Sequence, residues 1–213
     1  MQKINKVSII AMIVMAVISF TNLFGWYIAG FAVCLGVIAF FIDKAIEKQP
    51  FAGSGLDFKA IGANLKGGSI WFWLLLPLIM DIVSLTLGRL VVPGYIDHIL
   101  SRASAMISFD KSLISVAQMA FLALGEEIAW RAFFQKQAVK RFPLAPVLLV
   151  SGALFGLGHI AAGPFFIVAF DVFFVSVNSV LYGIIFHKTQ NAWVSGLAHF
   201  AANLFSVIIL TWI

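Results

Sequence analysis

The chain is a series of long apolar runs separated by short polar segments. A helix that crosses the hydrocarbon core of a bilayer needs about 20 apolar residues, and the runs divide on that scale. Residues 7–41 are too long for one helix and are broken near Thr21-Asn22 and Gly25, which predicts two spans. A polar stretch over 43–68 follows, then a third span over about 69–90 that contains Asp81. A second polar loop over 91–110 carries Pro93-Gly94 and leads into a fourth span over 113–139. Pro143 and Pro146 mark the turn into a fifth span ending near His159, and Gly163-Pro164 opens a sixth that runs to about His187. A seventh span starts near Ala192. The pattern predicts an all-α, polytopic transmembrane helical bundle of about seven spans. Residues 1–110 would form an N-terminal part with three spans, and 111–213 a core with four.

Composition agrees. Of 213 residues, 62% are apolar and only 11% charged, against about 25% charged in an ordinary soluble domain. A soluble chain of this length would need far more polar surface. A soluble enzyme, a nucleic-acid-binding domain and a disordered chain are thereby excluded. The net charge of +5 forms no basic patch with interleaved aromatics, so no nucleic-acid partner is expected. The lone Cys34 lies inside an apolar run and has no intrachain disulfide partner. The first apolar run is too long for a signal-peptide core and reads as a retained anchor.

The basic residues orient the bundle. With a cytoplasmic N-terminus, the inside segments hold Lys3, Lys6, Lys44, Lys48, Lys59, Lys66, Lys136, Lys140, Arg141 and Lys188, ten in all. The outside segments hold Arg89, Arg102 and Lys111, three in all, and Arg131 lies within a span. Cytoplasmic loops carry the excess of Lys and Arg, which predicts the N-terminus inside and the C-terminus outside.

A charge within a span is costly and usually faces a partner or a wet cavity. Such residues gather in the last four spans. At about 100° per residue, Glu127 and Arg131 lie about 40° apart on one helix face, whereas Glu126 is turned about 140° from Arg131. Glu127 with Arg131 reads as a buried structural pair, which leaves Glu126 without a local partner. The fifth span ends in Ser-Gly-Ala-Leu-Phe-Gly-Leu-Gly-His at 151–159, whose glycines suit close helix packing. In the seventh, His199 and Asn203 share a face. One unpaired Glu, two His and an Asn on apolar helices suit hydrolysis. A carboxylate takes a proton from water and returns it to the leaving amine. One histidine orients the water, while the other and the carboxamide donate to an oxyanion. The same Glu126, His159 and His199 could instead ligate zinc, with water as fourth ligand. Asn is a poor zinc ligand, so the metal-independent form is preferred and no cofactor is expected. His-Glu-x-x-His, Gly-x-Ser-Gly, Gly-x-Ser-x-Gly and Gly-x-Gly-Asp signatures are absent.

Glu-Glu-x-x-x-Arg at 126–131, Phe-x-x-x-His at 155–159 and His-x-x-x-Asn at 199–203 follow one another on hydrophobic helices. In order and spacing they resemble the CPBP family: type II CAAX prenyl endopeptidases together with bacteriocin-processing and immunity (Abi) proteins, commonly labelled metalloproteases. The resemblance covers about residues 110–213. It implies an intramembrane endopeptidase with a conical, cytosol-open cavity among the motif helices. Carried over residue by residue, it makes Glu126 the water-activating carboxylate and Glu127 the partner of Arg131. His159 helps hold the water, His199 and Asn203 form the oxyanion site, and Phe155 packs beside it. Similarity to the compact bacterial members implies a bacterial cell-membrane location and a membrane-associated peptide or protein substrate. Two other roles are compatible with the sequence: a bacteriocin immunity or regulatory membrane protein with a vestigial or secondary site, and a small transporter with Asp81, Asp171 and Asn178 as a polar path. The complete motif set argues against the first, and the lack of an inverted-repeat pattern against the second.

Overall fold

The computed structural model describes residues 4–104 and 112–210. Lys3, Lys111 and the expected boundary at 110–111 lie outside the described residues. Among those described, every regular element is helical. The order is α1 (Lys6–Phe20), a 3₁₀ turn (Thr21–Phe24), α2 (Gly30–Ile46), a 3₁₀ turn (Phe58–Ala60), α3 (Ile61–Lys66), α4 (Gly68–Val91) and α5 (Tyr95–Ser104). Then come α6 (Ser112–Glu127), a π-helical stretch (Ile128–Gln135), α7 (Lys136–Ala138), α8 (Leu144–Leu157), α9 (Phe165–Thr189) and α10 (Ala192–Leu210).

Among the described residues, five helical segments are long and apolar enough to cross a membrane: Lys6–Phe24, Gly68–Val91, Leu113–Ala138, Phe165–Thr189 and Ala192–Leu210. Of the other two expected spans, α2 has 17 residues and α8 only 14. The first apolar run breaks where expected. α1 ends at Phe20, and Gly25 closes the turn with φ of 77°, a left-handed conformation that glycine adopts at no steric cost. The expected loop over 91–110 is different. Its residues 95–104 fold into α5, which buries Tyr95, His98 and Ile99 against the bundle.

The glycines of α8 do what close packing requires. A Cβ on Gly156 would sit 2.0 Å from Ser176 Oγ, and one on Gly152 would sit 2.7 Å from a Val180 methyl. Without side chains at these positions, α8 and α9 approach almost backbone to backbone, which is how small residues drive helix association in lipid.

The two ends of the bundle are tied by separate polar networks. At one end Ser8 Oγ donates to Asp43 at 2.7 Å, and the Gln137 amide also donates to Asp43. There Lys140 pairs with Glu47 at 2.5 Å, and Asn191 Nδ2 donates to the Asp57 carbonyl at 2.7 Å. At the other end Asn22 Nδ2 donates to the Gly158 and Ile160 carbonyls at 2.8 and 3.1 Å. Arg102 pairs there with Asp171 at 3.0 Å. Cys34 is exposed on the outer surface of α2.

Candidate active site

The site begins where α6 loses its regular winding. Glu127 is the last residue of α6, and the π-helical stretch carries Arg131. Such stretches are rare and concentrate at functional positions. No sequence pattern announced it, since the helical-face argument assumes 3.6 residues per turn throughout. The pairing it was used to infer is nevertheless present. Arg131 Nε lies 3.4 Å from Glu127 Oε2, and both side chains are wholly buried. Another Arg131 nitrogen donates to Ser179 Oγ on α9 at 2.9 Å. Arg131 also lies 5.6 Å from the Phe155 ring centroid.

Glu126 faces the other way. Its side chain is 18% exposed, against 0% for Glu127, and it lines a cavity of about 200 Å³ together with His159, His199 and Asn203. A second cavity, of about 380 Å³, shares Glu126, Phe155, His159 and Arg102 with the first. Glu126 and His159 therefore sit at the junction of the two. The sequence left Glu126 without a partner on its own helix. The structure supplies one from α10: His199 Nε2 lies 3.6 Å from Glu126 Oε2.

Both histidines have Nδ1 engaged. His159 Nδ1 is 2.8 Å from the Phe155 carbonyl. That oxygen can only accept, so Nδ1 carries the proton and the neutral ring keeps a lone pair on Nε2. His199 Nδ1 is 3.2 Å from Glu127 Oε1. Glu127 thus links the Arg131 pair to the orientation of the α10 histidine. Aromatic rings fix the imidazole planes. Tyr182 stacks on His199 with centroids 4.4 Å apart and planes 17° from parallel, and Phe155 lies 4.4 Å from His159. Phe155 lines both cavities.

Tyr182 and Ser179 were not singled out from sequence, nor was the group formed by His98, Arg102 and Asp171. Asp171 meets Arg102 at 3.0 Å and His98 at 3.5 Å across the cavity wall. A signal existed for α5, because Tyr95, Ile96, Ile99 and Leu100 repeat at helical spacing. On the polar path that a transporter would use, Asn178 Nδ2 donates to Asp81 at 2.7 Å, and Ser206 donates to Asp81 at 2.9 Å. Outside the spans, burial pushes the Tyr95 phenol up to about 12, although its hydroxyl shares a 2.7 Å hydrogen bond with Ser84.

Zinc was the alternative use of Glu126, His159 and His199. Among the described residues, no three His, Cys, Asp or Glu side chains converge closely enough to hold a metal ion.

The described helices thus place a carboxylate, two imidazoles and a carboxamide on one cavity. Residues 108–205, a little under half of the chain, match the family described as type II CAAX prenyl endopeptidase Rce1-like. No curated protein and no solved structure matches the chain.

Proposed function

We propose that the protein is an intramembrane endopeptidase that hydrolyses a peptide bond of a membrane-associated peptide or protein with a water activated by Glu126. The observation that carries this reading is the division of labour between neighbouring carboxylates. Glu127 is buried against Arg131 and His199, whereas Glu126 is partly exposed on a cavity with His159, His199 and Asn203.

In this mechanism a water is held between Glu126 and the free Nε2 of His159. Glu126 takes one proton as the water oxygen attacks the scissile carbonyl carbon. The carbonyl oxygen becomes an oxyanion and accepts from the Asn203 carboxamide, and from His199 Nε2 once that atom carries a proton. Glu126 then hands its proton to the leaving amine as the C–N bond breaks, which yields an acid and an amine. Positioned general-base chemistry contributes about 10²–10⁴ in rate, and each oxyanion donor about 10²–10³. No metal is required in this scheme. The partners are the substrate and the surrounding bilayer, and the N-terminus faces the cytoplasm. The test is turnover by purified Glu126→Ala and Glu126→Gln proteins on internally quenched peptides, prenylated and unmodified. Both variants should be inactive while folding and inserting normally, because the amide keeps the shape of the carboxylate but takes no proton. Wild-type turnover by either would remove the assignment.

A further inference from the structure

Among the described residues, three carboxylates line the cavity of about 200 Å³: Asp81, Glu126 and Asp171. Two of them face a basic group of the protein. Glu126 lies beside His199, and Asp171 holds Arg102 at 3.0 Å. Asp81 is the exception, since among the described residues it forms no ion pair. What meets it is neutral. Asn178 Nδ2 donates to one of its oxygens at 2.7 Å and Ser206 Oγ to the other at 2.9 Å. The group thus joins α4, α9 and α10. A carboxylate offers about four lone-pair sites, so Asp81 keeps room for further donors.

Asn178 adds to that surplus. Its amide nitrogen faces the carboxylate, which only accepts, and this leaves Oδ1 for another partner. That oxygen is buried and has no hydrogen-bond partner, on a residue that is 7% exposed and lines the same cavity. A buried acceptor without a donor is costly, and a charge within a span usually serves a partner. Both unused groups are acceptors, so the ligand they suit is a cationic donor, an ammonium or a guanidinium. The surrounding walls are apolar: Leu85, Met119, Phe174 and Val207 line the cavity too. Such walls suit the methylene stem of a lysine or arginine side chain.

The distance to the reaction centre follows from α10. Ser206 comes seven residues after His199, on the same helix face and about 10.5 Å further along the axis. An extended peptide advances about 3.3 Å per residue, so about three residues cover that distance. Resting on the protease reading above, we propose that Asp81 and Asn178 form a specificity site for a Lys or Arg side chain of the substrate, carried about three residues from the bond that is cut.

The probes are N-acetylated, internally quenched peptides of one apolar sequence. Each carries a single Lys, moved along the series, and is paired with a peptide that has norleucine there, the same stem without the ammonium. Mass spectrometry identifies the bond cut. Wild type should cleave the best Lys peptide with kcat/KM about 10–100-fold above its norleucine partner, the usual worth of a hydrogen bond to a charged group. The Lys should stand three residues from the cut. In Asp81→Asn that ratio should fall to near one. Equal rates for the two partners in wild type would overturn the proposal. So would an Asp81→Asn protein that loses rate on both peptides by the same factor, because that marks a structural role. Binding of the same pairs to Glu126→Gln, followed by anisotropy of a dye on the peptide, should show the same preference without turnover. A binding preference in a wild type that cuts nothing would remove the protease reading and keep the cation site. Turnover with no preference would remove the cation site and keep the protease reading.

Discussion

The two ends of this bundle contain similar amounts of polar chemistry and use it in opposite ways. At the end of Asp43 and Asp57, polar side chains bond to one another or to loop carbonyls: Asp43 accepts from Ser8 and Gln137, and Asn191 holds the Asp57 carbonyl. At the other end, the polar groups of Glu126, His159, His199 and Asn203 line open space. The boundary runs between two adjacent residues, Glu126 and Glu127. A buried polar group in an apolar bundle is costly unless paired. Closed networks therefore explain themselves as structure, and an open one calls for chemistry. The lesson is that partnership and exposure, more than charge within a span, separate a working carboxylate from a supporting one.

That contrast can be broken most strongly at the oxyanion donors. Asn203→Ala should lower turnover about 10²–10³-fold, the usual cost of one such donor, with thermal stability unchanged. Single-turnover cleavage alongside a melting curve would show it. An Asn203→Ala protein at wild-type rate would leave the open side with one donor too many.

Glu127 should fail differently. Its removal strands Arg131 in a dry bundle, and breaking a buried pair costs about 3–5 kcal/mol. Glu127→Ala should therefore lose protein level and detergent stability as well as activity, because His199 loses its orienting acceptor. A variant as stable as wild type would contradict the supporting role.

Packing on the α8–α9 seam predicts a smaller loss. Gly156→Ala forces a methyl against Ser176 Oγ and the Val172 carbonyl, and overpacking of this kind costs about 1–3 kcal/mol. A melting temperature within error of wild type would show that the seam relaxes freely.

The smallest effect is at Tyr95. Burial holds its phenol at about 12 in the folded state, while the unfolded chain ionises near pH 10. The native state binds more protons between these values, so stability falls as pH rises from about 10 to 12. The wild type should lose stability over that interval more steeply than Tyr95→Phe in denaturant titrations. Parallel profiles would refute the linkage.

Much of this was legible in the sequence. Apolar run length placed the principal helices, and Thr21-Asn22 with Gly25 marked the first break because only a short, glycine-closed turn could divide so long a run. The i to i+4 spacing located Glu127 beside Arg131. What stayed hidden depends on contacts between distant helices: the Glu126–His199 approach, the stacking of Tyr182, and the hold of Glu127 on His199. The π-helical stretch was hidden for another reason, since helical-face arguments assume 3.6 residues per turn throughout. The α5 helix was overlooked although its apolar spacing was present.

The central claim is that Glu126 activates the water. Its most direct test is cleavage of a quenched peptide in ¹⁸O-labelled water by purified wild-type and Glu126→Gln proteins, with a metal chelator present and folding checked by melting. Wild type should keep its rate under chelation and place one ¹⁸O in the new carboxyl group, while folded Glu126→Gln gives no product. Turnover by Glu126→Gln, or wild-type activity that chelation abolishes and stoichiometric zinc restores, would contradict the account.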